Sequence, residues 1–142
     1  MAYQISPCGG LEELLAREAI HDVLKRYVRA VDRADGDLML SCYHDDGIDD
    51  HGSFRGSAKD FAEFVCGERS QRYDATHHFI AAPNIVVQGD VALVDTYCIA
   101  HQISVPDEAG QRYDYVVGLR YVDRFEARGS GWLIAHRTAV YD

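Results

Sequence analysis

The sequence predicts an α+β domain in which three N-terminal helices lie on one face of a strongly curved antiparallel sheet. Three observations carry that prediction. Two long runs rich in β-branched and aromatic residues, RYDYVVGLRYVDRF and WLIAHRTAVY, flank the turn EARGSG, the pattern of a long antiparallel hairpin. The stretch from Leu11 to Ala34 repeats apolar residues every three or four positions, the period of an amphipathic helix. Between these ends, strand-like runs alternate with turn signals at Gly89-Asp90 and at PDEAG, which reads as a meander. A curved sheet closed by a helix makes a cone, and the wide end of a cone is a pocket.

Residues 1–10 carry Pro7, Gly9 and Gly10 and read as a tail; residues 11–142 read as one domain. The first helix presents Ile20, Val23, Leu24, Tyr27, Val28 and Val31 on one face and Arg17, Asp22, Lys25, Arg26 and Arg29 on the other. Asp35-Gly36-Asp37 ends it and caps a short second helix, Leu38 to Tyr43. HDDGIDDH, His44 to His51, reads as a polar loop leading to a short strand at His51–Phe54. Arg55-Gly56-Ser57 reads as a turn, with Ser57 capping a third helix over Ala58–Arg69. Thr76 to Gln88 reads as a strand broken near Ala82-Pro83, because proline cannot donate to a ladder. Val91 to Val105 is the next strand, and the C-terminal hairpin completes a sheet of four long strands and one short one.

Composition narrows the partners. The chain has 142 residues, enough for one core, and a formal net charge of −9. That charge argues against nucleic acid or an anionic membrane, which need a basic surface. No apolar run approaches a membrane span and MAYQISPCGG does not read as a signal peptide, so a cytoplasmic location is expected. Cys42, Cys66 and Cys98 read as small buried apolar residues and Cys8 as an exposed thiol of the tail. There is no P-loop, GxGxxG or GxSxG, so neither nucleotide binding nor serine hydrolysis has a basis. HDDGIDDH matches neither zinc nor EF-hand spacing, and no metal or other cofactor is expected.

A few polar residues stand where chemistry could use them. Asp32 lies one turn beyond Val28, at the edge of the apolar stripe, and is either a pocket carboxylate or a solvated helix end. In Thr76-His77-His78 one imidazole faces the helices and the other faces away. The inward one could take a proton from a substrate, with an aspartate to orient it. His101 is in phase with Tyr97 and Ile99 and is a candidate second pocket imidazole, or a structural one. Arg137, in phase with Leu133, Ala135, Ala139 and Tyr141, must be paired or meet an anion. It is a clamp for a substrate oxyanion or for Asp32, or else a structural partner of Asp123 or Asp142. Tyr27 and Tyr43 could donate to a developing oxyanion or simply pack in the core.

Taken together, the helix AIHDVLKRYVRAVDRADGDLMLSCYHDD, the segment DDHGSFRG, the THHF strand and the ending YVDRFEARGSGWLIAHRTAVYD resemble the SnoaL-like branch of the nuclear transport factor 2-like superfamily. The resemblance implies the cystatin-like cone. In the dehydratase and dehydrochlorinase members an aspartate near the end of the first helix pairs with a histidine on the first long strand. By motif Asp32 matches that aspartate and His78 that histidine, with His77 one residue out of phase. Tyr27 matches a pocket tyrosine, Arg137 resembles a last-strand pocket arginine, and His101 falls near a second catalytic histidine of some members. One cone hosts unrelated activities, and non-catalytic β subunits of aromatic-ring dioxygenases share it.

The expectation is therefore a cofactor-free lyase or isomerase, of dehydratase type, acting on a small apolar cyclic substrate. His78 and Asp32 would be catalytic, and Tyr27, Tyr43, His77, His101 and Arg137 would bind substrate. The alternatives are a binding or structural module of the same fold, and a cyclase or hydrolase in which Asp32 activates water. Apolar residues on both faces of the C-terminal strands lead us to expect a homodimer or higher homo-oligomer.

Overall fold

The computed structural model describes residues 9–141; Cys8 and Asp142 lie outside the described residues. Helix α1, Leu11–Arg33, buries Ala16, Ile20, Val23, Leu24, Tyr27, Ala30 and Val31 along the predicted stripe. It ends where Ala34 turns left-handed, with the amides of Ala34 and Asp35 closing on the carbonyls of Val31 and Ala30. The Asp35 carboxylate then accepts from Leu38 N–H and starts α2, Gly36–Leu40. Ser57 does the same for α3, Ala58–Phe64, by accepting from Asp60 N–H. Helix α3 is shorter than its sequence pattern suggests, because the chain widens into a π turn at Val65–Arg69 and then tightens into a 3₁₀ turn at Ser70–Arg72. No helix among the described residues is long and apolar enough to cross a membrane.

Seven strands form one curved, mixed sheet: β1 Tyr43–Asp50, β2 Arg55–Ser57, β3 Tyr73–Ile80, β4 Asn84–Gln88, β5 Val91–Ser104, β6 Asp114–Arg128 and β7 Gly131–Tyr141. They lie in the order β2-β1-β7-β6-β5-β3, with β4 also on β5. The expected break near Pro83 separates β3 from β4, and both pair with β5 on the same side.

Three segments differ from the sequence reading, the first being His51–Phe54, which is the turn joining β1 to β2 rather than a strand. HDDGIDDH is mostly strand β1, and Arg55–Ser57 is strand β2 rather than a turn. Strand β1 runs parallel to β7, so the sheet is mixed rather than wholly antiparallel. The polar letters of β1 hide their role because their partners come from far along the chain or from within the strand itself. His44 is buried with Nε2 on the Glu126 carbonyl, and Asp49 is fully buried. A bulge between Tyr43 and Ile48 lets the strand do this. Gly47 sits in the bulge, where a Cβ would stand 2.8 Å from the His44 carbonyl oxygen.

Candidate functional site

The order of the sheet leaves β3 at an edge. An edge strand has backbone groups with no ladder partner, and each must find another or meet water. α1 packs against this edge and supplies one: Asp32 Oδ2 accepts the His78 N–H at 3.1 Å. The other oxygen, Oδ1, lies 2.7 Å from His78 Nδ1. An ionised carboxylate only accepts, so Nδ1 carries the hydrogen and Nε2 presents the lone pair. Nε2 has no hydrogen-bond partner among the described residues, while Asp32 is fixed at both oxygens. The strand alternation resolves the Thr76-His77-His78 ambiguity: His78 faces the helices and His77 faces out.

The remaining candidates fall into two further groups. Arg137 is fully buried and forms a bidentate pair with Asp123, Nε to Oδ1 at 2.8 Å and Nη2 to Oδ2 at 2.6 Å. Its guanidinium is sandwiched between the rings of Tyr27 and Tyr121, 4.0 and 4.1 Å from their centroids. Of the partners weighed for Arg137, it takes Asp123, the structural one, and no pair with Asp32 forms, because Asp123 lies directly opposite on β6. Burial works to lower the guanidinium, but Asp123, Tyr43 and Tyr27 overcome it and hold Arg137 well above its usual range. Burial pushes the Asp123 carboxyl up against the pull of Arg137. Tyr43 donates to Asp49 Oδ2 at 2.5 Å, and Asp49 Oδ1 meets Nδ1 of His51. Burial, as the largest cause, drives Tyr27, Tyr43 and Tyr121 upward, so all three remain phenols at neutral pH. Tyr27, Tyr43 and Arg137 thus belong to a sealed network, and the oxyanion role expected of them is not displayed.

His77 and His101 form the other group. They are cross-strand neighbours on the outer face of the sheet. The inner row of β5 is Ala92, Val94, Thr96, Cys98, Ala100 and Gln102, so the expected pocket position of His101 is corrected. Tyr97 and Ile99, which set its phase in the sequence, are themselves outside, because the inner face under α1 admits mostly small side chains. His101 Nε2 stands 3.9 Å from Asp114.

A cleft of about 160 Å³ opens beside the first group. Asp32 lines it, with Ala34 from the end of α1, Arg69 from the π turn, and Thr76 and Gln102 from β3 and β5. Thr76 precedes His78 by two residues on the same face, about 7 Å away along the strand; the cleft reaches Asp32 and Thr76, and His78 stands behind Asp32 rather than among the lining residues. Thr76 Oγ1 is buried and has no partner. Sequence reading missed Asp49, His51, Arg69, Thr76 and Gln102 as parts of either polar group. The period-two spacing of Asp49 and His51 was the one available signal for that pair. Among the described residues no three His, Cys, Asp or Glu side chains converge as a metal ligand set, and His44, Asp49 and His51 are committed to other bonds.

Solved structures share this architecture. A nuclear transport factor 2-like superfamily protein from Salmonella enterica serovar Typhimurium aligns with TM-score 0.78 at 19% identity, over 90% of this chain and 92% of its own. A hexachlorocyclohexane dehydrochlorinase aligns with TM-score 0.77 at 20% identity, over 92% and 88%. A protein assigned as the β subunit of an aromatic-ring-hydroxylating dioxygenase from Novosphingobium aromaticivorans aligns with TM-score 0.71 at 21% identity, over 93% and 92%. At these identities the likeness shows the fold, nuclear transport factor 2-like, which hosts both an enzyme and an oxygenase subunit. No curated protein matches the sequence significantly. A family model does match, from residue 12 to residue 138, and the chain belongs to the SnoaL-like domain family.

Proposed function

We propose that the chain is a lyase or isomerase, needing no cofactor, in which His78 removes a proton from carbon and Asp32 steadies the imidazolium that results. The observation that carries this reading is the Asp32–His78 contact at 2.7 Å, made by a carboxylate that a second donor, the His78 N–H, already holds in place. Nδ1–H is committed to Asp32, so Nε2 is the base. The C–H electron pair moves into the substrate, either to form a double bond to an adjacent carbon that expels hydroxide, which leaves as water with the proton held by His78, or to a carbonyl oxygen as an enolate, which takes that proton back at another carbon. The first outcome is a dehydration and the second an isomerisation. The cleft of about 160 Å³ lies below the usual range for drug-sized ligands, roughly 300–1,000 Å³, which favours a small, compact substrate such as a single ring.

Proton abstraction can be tested before the natural substrate is known. Small cyclic ketones and β-hydroxy ketones in deuterated water should exchange hydrogen α to the carbonyl when the protein is added, followed by NMR. His78→Ala should cut that exchange by roughly 10² to 10⁴, the range of a positioned general base. A His78→Ala protein that still exchanges at most of the wild-type rate sinks the proposal.

A second reading, a non-catalytic subunit, draws on one of the same bonds. Asp32 covers an unpaired edge amide of β3, a structural duty in its own right. On that reading exchange is absent from the wild type and Asp32→Ala loosens the edge. The outer face bears on assembly under either reading. Phe79, Leu93, Tyr97, Ile99 and Val116 are each more than half exposed there, and we infer that they meet a second copy. Light scattering at micromolar concentration should then give a dimer or larger, and a monomer would count against it.

A further inference from the structure

We propose that the cleft beside Asp32 recognises an anionic group and that Arg69 is the residue that binds it, so the substrate of the Asp32–His78 pair is a small carboxylate- or phosphate-bearing molecule. This rests on the dyad reading for the word substrate, but the anion site itself does not.

Arg69 differs from the paired arginines around it, and from Arg33, which lines the same cleft without a carboxylate partner among the described residues but is exposed where Arg69 is half-buried. Arg72 pairs with Glu68 at 2.6 Å, and Arg112 pairs with Asp74. Arg69 has no carboxylate partner among the described residues; its guanidinium lies 5.8 Å from the ring centroid of Tyr73, and both residues line the cleft. In a chain with 23 acidic and 14 basic side chains, most arginines find a carboxylate. One left partly buried and without a carboxylate at a cleft wall is poised for an anion from outside. The backbone places it there: Arg69 closes the π turn at Val65–Arg69, a distortion that re-aims side chains and recurs at functional sites.

One carboxylate on the wall, Asp32, opposes an anion, though both its oxygens are turned to His78; the rest of the wall is compatible. The α1 carbonyls that would repel an anion, those of Ala30 and Val31, are covered by the amides of Asp35 and Ala34. Asp74, which also lines the cleft, is neutralised by Arg112. Thr76 Oγ1 is a buried hydroxyl with no partner, and Gln102, its register neighbour on β5, is a buried amide. Both can donate to an oxyanion. The volume of about 160 Å³ is roughly that of five waters at about 30 Å³ each, room for an oxyacid group and a few more atoms. His78 lies two residues along β3 from Thr76, about 7 Å, so an acid group at Arg69 would set the reacting carbon a few bonds away toward Asp32.

The test is a binding titration with cyclohexanecarboxylate and, as its neutral counterpart, cyclohexanecarboxamide, followed by NMR shifts of the protein. The acid should bind at least about tenfold more tightly than the amide at low salt, and only its affinity should fall as salt rises. Arg69→Gln should erase that preference, and Arg69→Lys should restore part of it as a point charge. His78→Ala should leave acid binding intact. Equal affinity for acid and amide, no detectable binding of the acid, or an unchanged preference in Arg69→Gln would each overturn the proposal. If His78→Ala keeps its exchange activity while Arg69→Gln loses acid binding, the dyad reading falls and the anion site stands.

Discussion

Among the described residues two aspartate–imidazole pairs are hydrogen-bonded, and they differ in what else holds the carboxylate. Asp32 takes both of its bonds from one residue, the ring and the backbone amide of His78, and lines a cleft with 17% of its side chain exposed. Asp49 is shared between His51 and the Tyr43 hydroxyl and is sealed. The imidazoles are hidden to a similar degree, 6% for His78 and 10% for His51. Exposure of the ring therefore does not separate them. The His51 ring is stacked on Phe61 with centroids 4.3 Å apart and sits beside Tyr121, whereas the His78 ring has no such stack among the described residues. An Asp–His contact is by itself ambiguous; its use is set by whether the carboxylate opens to a cleft or ties a core together.

The sharpest way to break this comparison is to make the same substitution twice. His78→Ala should lose roughly 10² to 10⁴ in proton exchange, the range expected of a lost general base, with a melting temperature close to that of the wild type. His51→Ala should do the reverse, destabilising by about 1–3 kcal/mol because Asp49 loses a buried partner, while the surviving folded protein still exchanges. Equal losses of activity in both variants, at full folding, would make His51 part of the chemistry. Next in size comes Arg137→Ala. Removing one partner of a buried ion pair strands the other, and Asp123 should cost about 3–5 kcal/mol in urea unfolding. A loss below about 1 kcal/mol would mean that the sealed network is not a structural tie.

The smallest effect concerns the thiols that border the two groups. Burial, the largest cause, pushes Cys42 and Cys98 up to about 11. A raised folded value means the fold prefers the neutral thiol. That contribution is complete below the ordinary thiol value of 9.0 and is lost as pH climbs through about 11. Iodoacetamide at pH 8 should spare both in the native protein and label both after unfolding, read by peptide mass spectrometry. Rapid native labelling of Cys98 would show that the inner face beside Tyr121 is open.

Some of this was legible in the letters and some was not, for physical reasons. The α1 stripe and the C-terminal hairpin follow from periods of 3.6 and 2, which burial imposes locally. The Asp32–His78 encounter and the choice of His78 over His77 followed from family motif; strand parity said only that one of the two imidazoles faces the helices. Parity misled at His101, because strand β5 carries its large apolar side chains on the outer face and small ones within; Tyr97 and Ile99 therefore pointed the wrong way. HDDGIDDH was unreadable as a strand because its polarity is satisfied by Tyr43, within the strand, and by Glu126, far along the chain. Arg69 had no signal at all, since a π turn is a local accident of packing with no letter pattern.

The parallel pairing of β1 with β7 also dictates when the protein can finish folding. β1 has only β2 and β7 as neighbours in the sheet, so the first strand to leave the ribosome waits for the seventh. Until β7 arrives, Asp123 has no Arg137 to close against, and α1 has only part of its floor. Contacts so distant in sequence slow the search for the native state. The α1 end and β3, by contrast, are both synthesised early, so the edge that holds Asp32 and His78 can form before the core is locked. The last strand made then commits the whole domain at once, and a chain stopped short of Arg137 would lack its latch.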